Sequence, residues 1–291
     1  MPDISVIIPA FCEEAVIGDV VGNVHRVLQK HEKTFEIIVV DDGSTDQTAV
    51  KAELAGARVI RHPYNMGNGA AVKTGIRNAR GAVLVTMDGD GQHDPEDIPR
   101  LLEKTDRYDM VVGARNAVSE SKVHRNLANW LYNVFASYIC KRKIEDLTSG
   151  FRAIKSDVAR RFVSLLPNTF SYPTTITMAV VRAGFSLTYV PIKASRRVGK
   201  SKIRLVSDGS RFILIIIKIA TLFSPMRVFL PVSTVMFLVG LGYGIFRIVV
   251  MDGRYGPTSA MLMTMAVVVF MVGLVSEQVA QLRYDISEKQ D

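Results

Sequence analysis

The sequence predicts an α/β domain built on a mostly parallel sheet, followed by an interfacial helix and a two-helix transmembrane hairpin. Three observations carry this. Over residues 1–115, β-branched runs alternate with amphipathic stretches, the signature of parallel strands joined by crossover helices. Near the C-terminus, two long segments carry no charge at all. Between these parts lies a basic stretch and then an apolar one broken by Asp208, Arg211 and Lys218. Such a segment lies in a membrane interface rather than crossing the bilayer.

The elements follow in order. Ile4 to Ile8 is a strand, and Ile17, Val20, Val21, Val24, Val27 and Leu28 mark one face of a helix. Phe35 to Val40 is a second strand that runs into Asp41 and Asp42; a helix follows, capped near Thr45 or Asp46. Arg58 to Arg61 is a short strand, and a glycine-bearing loop from His62 to Gly69 opens a helix that reaches Ala79. Ala82 to Met87 and Met110 to Val112 complete the strands, and Leu127 to Ile139 reads as an amphipathic helix containing Trp130. The rest of residues 120–203 shows no clear period. Domain limits are expected at 1–203, with the interfacial helix at 204–225, the hairpin at 226–278 and a tail at 279–291.

The hairpin rests on length and charge. Val228 to Phe246 gives 19 uncharged residues and Tyr255 to Ser276 gives 22; at 1.5 Å per residue each spans roughly 30 Å, the thickness of a bilayer's hydrocarbon core. Pro231, Gly240, Gly242 and Gly244 are tolerated in lipid, and the small residues could pack helices, so a homo-oligomer is an open expectation. Arg204, Arg211, Lys218 and Arg227 precede the hairpin and Arg283 and Lys289 follow it, which places both ends in the cytoplasm by the positive-inside bias. Met1 to Ile8 lacks the basic start of a signal peptide. The composition, 48% hydrophobic with 22% charged residues and a net charge of +8, excludes a disordered chain. Only Cys12 and Cys140 are present, which excludes a disulfide scaffold.

Chemistry concentrates where parallel sheets bind ligands, beyond the carboxyl ends of their strands. Asp41 and Asp42 end one strand, Asp88 and Asp90 another. In an extended segment, Asp88-x-Asp90 points both carboxylates the same way, and two hard oxygen ligands can hold Mg²⁺ or Mn²⁺ together with substrate phosphates. An EF-hand fails because its sixth and twelfth positions fall on His93 and Pro99. The Asn65 to Thr74 segment, with Gly67, Gly69 and Lys73, suits a nearby diphosphate at a helix start. It is not a P-loop, because Val72 precedes Lys73.

Taken together, Val6 to Glu14, Val39 to Asp46, Asn65-x-Gly67-x-Gly69, Asp88-x-Asp90 and Asp146 to Arg152 occur in this order, with Arg197 to Lys202 ahead of the interfacial helix. This resembles family 2 glycosyltransferases of the GT-A fold, and within them the polyprenyl-phosphate sugar transferases, the group of dolichol-phosphate mannose synthase. The likeness covers roughly residues 3–225, and the hairpin is similar to that of bacterial members. The resemblance implies that Pro9, Glu13, Asp41 and Asp42 line the donor's base and ribose, with Gly67 and Lys73 in the glycine loop nearby. It implies that Asp88, Asp90 and Gln92 hold the metal, that Arg197 and Lys202 close over the donor phosphates, and that Arg115, Arg125 and Asn129 receive the acceptor's phosphate. Asp146 stands where many relatives keep a base.

The function expected is therefore single transfer of a sugar from a nucleotide diphosphate donor, uridine rather than guanosine, to a polyprenyl phosphate at the cytoplasmic membrane face. A phosphomonoester with a second pKa of about 6 is already largely ionised at neutral pH, so Asp146 is expected to orient groups more than to take a proton. Catalytic weight falls on Asp90, Asp146 and Arg197. No nucleic acid is expected among the partners. Three rivals stand: transfer to a glycan hydroxyl, a non-catalytic sugar-nucleotide-binding adaptor, and a nucleotidyltransferase, which would give no reason for the hairpin.

Overall fold

The computed structural model describes residues 1–115, 133–134, 136–168, 172–193, 221, 224–250 and 255–288. Arg125, Asn129, Arg197, Lys202, Trp130 and nearly all of the expected interfacial helix lie outside these residues. The chain divides into two compact units, Met1–Lys202 and Ile203–Asp291.

The first unit is a mixed seven-stranded sheet with helices packed on it. In chain order it runs β1 (Ile4–Ala10), α1 (Ile17–Leu28), β2 (Phe35–Asp41), α2 (Thr48–Leu54), β3 (Arg58–Arg61), α3 (Asn68–Asn78), β4 (Val83–Thr86), α4 (Ile98–Leu102), β5 (Met110–Arg115), β6 (Arg152–Lys155), α5 (Ser156–Phe162), α6 (Tyr172–Arg182) and β7 (Leu187–Ile192). The sheet order is β3-β2-β1-β4-β6-β5-β7. Every pairing is parallel except those of β6, which runs antiparallel to both neighbours. β1 to β4 therefore end on one edge of the sheet, and both acid pairs lie there.

β1 is central because every residue in it is buried, and its isoleucines each contribute roughly 1.5–3 kcal/mol on burial. Pro9 breaks no ladder. Ile7 O accepts from Met87 N on the β4 side, Pro9 faces the same way two residues on, and β4 pairs with β1 only as far as Ile7. α3 lies close on β1: a Cβ on Gly75 would meet Ile7 Cγ2 at 2.2 Å, so this helix cannot approach as it does with any larger residue there. The predicted cap of α2 is shifted. The helix starts at Thr48, and Asp46 Oδ1 accepts from Thr48 N at 3.0 Å one turn position earlier.

The second unit is the hairpin, α7 (Met226–Val250) and α8 (Pro257–Glu288). Both are long and apolar enough to cross a membrane, and only 17% of each apolar window is buried within the chain. Leu238, Val239 and Val275 stay exposed, a surface that suits lipid rather than water. The two helices run antiparallel in a constant register. Gly240 faces Leu262, Gly244 faces Tyr255 and Gly273 faces Phe229, while Glu277 Oε2 accepts from Met226 N at 3.1 Å. Part of the small-residue face thus packs the hairpin against itself; Gly242 alone of its three first-helix glycines meets nothing within 4 Å.

Candidate active site

Three loops at the carboxyl edge of the sheet assemble the site. The first two are stitched together. Cys12 N donates to Ser44 Oγ at 2.9 Å, Glu13 N to Thr48 Oγ1 at 2.9 Å and Gln47 N to Glu14 Oε2 at 3.1 Å. This joins the end of β1 and the loop after it, which hold Pro9 and Glu13, to the end of β2 and the loop after it, which hold Asp41 and Asp42. Asp41 Oδ1 accepts from Ser44 N at 3.0 Å. Asp42 reaches further: Oδ1 accepts from Met66 N at 2.9 Å and lies 2.7 Å from His62 Nδ1, and Oδ2 accepts from Gly67 N at 2.8 Å. Gly43, at φ +76°, fits because a Cβ there would meet the Tyr64 backbone at 2.5 Å. Gly67, at φ +103°, opens α3 in a conformation that glycine adopts readily.

Lys73 is engaged on the far side of α3. Its Nζ donates to Leu166 O at 3.2 Å and to Asn168 Oδ1, and Ala70 N donates to Asn168 O at 2.8 Å. Burial, with the Arg77 charge added, pulls the Lys73 pKa down.

The third loop follows β4. Gln92 N donates to Asp90 Oδ1 at 3.1 Å, and Asp90 is 9% exposed. His93, buried and stacked on Phe151 with ring centroids 5.1 Å apart, accepts from Asp88 N at Nδ1. Asp88 is half-buried, and its carboxylate makes no hydrogen bond among the described residues. Space for that carboxylate comes from Gly150: a Cβ there would lie 3.0 Å from both Asp88 oxygens and 3.1 Å from Tyr172 Oη. Gly150 is itself held, its carbonyl accepting from Thr86 Oγ1 at 2.8 Å.

Beside it, Asp146 binds Arg115. Asp146 Oδ2 accepts from Arg115 Nε at 2.8 Å and from its backbone N at 3.2 Å. Oδ1 accepts from Arg115 Nη2, Thr148 N and Ser149 N at 3.0, 3.0 and 3.1 Å. Burial by itself would raise the Asp146 pKa, but the hydrogen bonds and charge of Arg115 outweigh it and hold the carboxyl below its usual range. Arg115 also donates from Nη2 to Thr148 Oγ1 at 2.6 Å, and its Nη1 makes no hydrogen bond among the described residues. The Asp88 charge contributes to keeping Arg115 protonated, so Arg115, Asp88 and Asp146 share one region.

The structure thus brings together Pro9, Glu13, Asp41, Asp42 and Gly67 on one flank, and Asp88, Asp90, Gln92, Arg115 and Asp146 on the other. Residues that the sequence reading did not single out are His62, Thr148 and Arg152. Arg152 is 1% exposed; its guanidinium donates to Ser149 O, Pro173 O and Thr177 Oγ1, while Nε has no partner among the described residues. Thr148 sits inside the Asp146 to Arg152 motif, which was the available signal. Arg152 closes the same motif, though nothing in it marks that side chain for burial, and His62 carries no local pattern that marks it.

The donor set suits a hard divalent cation. It offers two carboxylates on one loop, one of them unbonded, and among the described residues no third His, Cys, Asp or Glu converges to complete a protein cage. Mg²⁺ in such sites keeps waters and takes substrate phosphates as ligands.

Comparisons with known proteins agree with this layout. Residues 5–162 match the model of "Glycosyl transferase family 2", and residues 224–282 match "GtrB C-terminal hairpin". The chain is 33% identical over 214 residues to the polyprenol monophosphomannose synthase of Mycolicibacterium smegmatis, covering 68% of this chain and 79% of that one. It is 25% identical to the undecaprenyl-phosphate 4-deoxy-4-formamido-L-arabinose transferase of Edwardsiella ictaluri, over 97% of this chain and 90% of that one. Among solved structures, the glucosyl-3-phosphoglycerate synthase of Mycobacterium tuberculosis with Mn²⁺, uridine diphosphate and phosphoglyceric acid superposes with a TM-score of 0.60 at 20% identity, over 76% of this chain and 78% of that one; this likeness shows the GT-A fold. The sheet, the loop chemistry and these matches lead to one conclusion: the protein belongs to glycosyl transferase family 2 and is a glycosyltransferase.

Proposed function

We propose that the protein moves one sugar from a uridine diphosphate sugar to a polyprenyl phosphate at the cytoplasmic face of a membrane, with inversion at the anomeric carbon and a Mg²⁺ or Mn²⁺ requirement. One observation carries the reading. The carboxylate placed where a base would stand, Asp146, is occupied by Arg115, Thr148 and Ser149 and is held ionised. A side chain so bound orients an arginine; it does not collect a proton from a hydroxyl. An acceptor that arrives as an anion needs no such collection, and a phosphomonoester is one. The relatives' names support the lipid: those from M. smegmatis and E. ictaluri are named for polyprenol and undecaprenyl phosphate.

The residues divide the work. Arg115, fixed by Asp146 and Thr148, offers its Nη1 to the acceptor phosphate, joined by Arg125 and Asn129. Pro9, Glu13, Asp41 and Asp42 shape the donor flank, with Gly67 and Lys73 beside it, and Arg197 and Lys202 add positive charge at the donor phosphates. Asp88, Asp90 and Gln92 would hold the cation, which when bound draws charge from the leaving diphosphate. The acceptor phosphate oxygen attacks the anomeric carbon as its bond to the diphosphate breaks, and the nucleoside diphosphate leaves with the bonding electron pair. Bringing two anions together is the main barrier, and arginines preorganised by carboxylates lower it without reorganising during the reaction. The two apolar helices keep the enzyme beside a lipid whose phosphate stays at the interface.

The test is direct. Purified protein is incubated with radiolabelled uridine and guanosine diphosphate sugars, Mn²⁺, and either undecaprenyl phosphate or undecaprenol. Product with the phosphate alone supports the reading. Product with the free alcohol, or with a glycan hydroxyl and no lipid phosphate, overturns it.

A further inference from the structure

Asp42 is held in place by a residue outside every motif described above. His62 follows β3 and is pinned there by its backbone N–H, which donates to Asp41 O at 2.8 Å. Its ring is buried, with the side chain only 7% exposed, between two elements. Nδ1 lies 2.7 Å from Asp42 Oδ1 and Nε2 lies 2.9 Å from Thr74 Oγ1 on α3. A carboxylate only accepts, so Nδ1 carries a proton and donates to Asp42, while Nε2 and the Thr74 hydroxyl share the second hydrogen bond. Asp42 uses its other bonding capacity on Met66 N and Gly67 N, the residues that lead into α3.

The arrangement is a closed mechanical loop. The residue after β2 supplies the carboxylate, the residue after β3 the imidazole, α3 the hydroxyl, and Met66 and Gly67 ahead of α3 the two amides. Without the imidazole, Asp42 keeps two backbone partners but loses its side-chain partner, and Thr74 loses its contact with the ring. The Tyr64–Asn65 backbone lies so near Gly43 that a Cβ there would not fit, and a small shift of Asp42 is transmitted to the start of α3 through its bonds to Met66 N and Gly67 N.

We propose that His62 is a positioning residue for donor binding: through Asp42 and Thr74 it fixes the Met66–Gly67 segment and the first turn of α3 against the β2 loop. The role rests on the reading that this flank receives the nucleotide diphosphate. It acts on the donor and leaves the acceptor side, built on Arg115 and Asp146, untouched.

The experiment uses the full chain in detergent, with His62→Ala, His62→Asn and Thr74→Val beside the wild type. Uridine diphosphate with Mn²⁺ is titrated by calorimetry, and donor KM, acceptor KM and kcat are measured with undecaprenyl phosphate. Removing one hydrogen bond to a charged group should weaken nucleotide binding about tenfold in His62→Ala. Donor KM should rise in step while acceptor KM and kcat stay within about twofold. His62→Asn, whose amide N–H lies about where Nδ1 does, should recover most of the loss. Thr74→Val, on the half-buried face of α3, should show a smaller loss of the same kind.

Equal nucleotide affinity in His62→Ala and wild type overturns the proposal. So does a loss shared equally by donor KM, acceptor KM and kcat, or one that His62→Asn does not relieve, since either marks a general folding role. If His62→Ala does not fold, Thr74→Val and His62→Asn decide by the same donor-against-acceptor split. A wild type that binds neither uridine nor guanosine diphosphate would instead sink the glycosyl-donor assignment of this flank, a separate failure read in the same titration.

Discussion

Two acid pairs lie at the ends of β2 and β4, the parallel strands that flank β1, and in sequence they look interchangeable. In the fold they do opposite work. Asp41 and Asp42 spend their oxygens on the chain itself: on Ser44 N, Met66 N, Gly67 N and His62. Asp88 makes no carboxylate hydrogen bond among the described residues and sits against a glycine that leaves it room. A carboxylate saturated by backbone N–H groups is scaffold, because any ligand would have to displace bonds already made. An open one costs stability unless a cation or substrate completes it. The contrast separates the part of the site that is built from the part that waits.

The largest effect follows from the open carboxylate. Asp88→Asn should cut transfer at least ~100-fold, the scale of a lost metal contribution of several kcal/mol, while the melting temperature stays level or rises. Mn²⁺ binding followed by electron paramagnetic resonance should fall with it. Near-normal turnover in this variant would erase the distinction between the pairs. Asp42→Asn should behave in reverse. It removes an ionised acceptor for three donors, so it should destabilise the fold by about 2 kcal/mol, read as a lower denaturant midpoint at unchanged slope. If Asp88→Asn destabilised as much as Asp42→Asn, both pairs would be scaffold.

Much of this contrast was beyond sequence reasoning, and the reasons are specific. The strand ends, the glycine loop and the two apolar spans are local patterns, and the fold places each where its period and turn chemistry indicate; Asp88-x-Asp90 instead follows β4 with Gly89 and Asp90 in a turn, so the period-two alternation expected of an extended segment does not set the directions of its carboxylates. β6 and β7 were not legible. β6 is only Arg-Ala-Ile-Lys, with charged ends, and β7 carries Pro191, which an edge strand tolerates. What each aspartate binds depends on residues far away in the chain: His62 lies 20 positions from Asp42, and Arg115 lies 31 from Asp146. Arg152 is the sharpest case. A lone Arg in a short strand gives no sign that its guanidinium will be buried on carbonyls beneath the site.

Asp146 belongs to the scaffold side of the comparison, although it lies beside the open carboxylate. Its pKa is depressed in the fold, so between the folded value and the unfolded one, about 3.9, the unfolded chain binds more protons. Its contribution to stability is therefore complete above about pH 4 and lost as pH falls through the folded value. No acid limb from Asp146 should appear in the transfer rate above about pH 5. Asp146→Asn should lower transfer about tenfold by loosening Arg115, chiefly through acceptor KM, with the pH profile unchanged above pH 5. An acid limb near neutrality that is present in the wild type and lost in this variant would make Asp146 a proton acceptor.

The smallest effect probes how the open carboxylate is kept open. Gly150 has an ordinary backbone conformation, so an alanine there is resisted by space alone. Its Cβ would crowd both Asp88 oxygens at 3.0 Å and Tyr172 Oη at 3.1 Å. Tyr172 is buried at the start of α6 and cannot retreat; Asp88 is a short, half-buried side chain whose carboxylate makes no hydrogen bond among the described residues, and it can. The strain should therefore be relieved by turning Asp88, with little loss of stability. Gly150→Ala should weaken Mn²⁺ binding a fewfold and lower transfer in proportion, an off-rotamer shift being worth roughly 0.5–1.5 kcal/mol. Added Mn²⁺ should restore the rate. If saturating metal left the defect in place while the fold stayed intact, Gly150 would be acting on something other than the seat of Asp88.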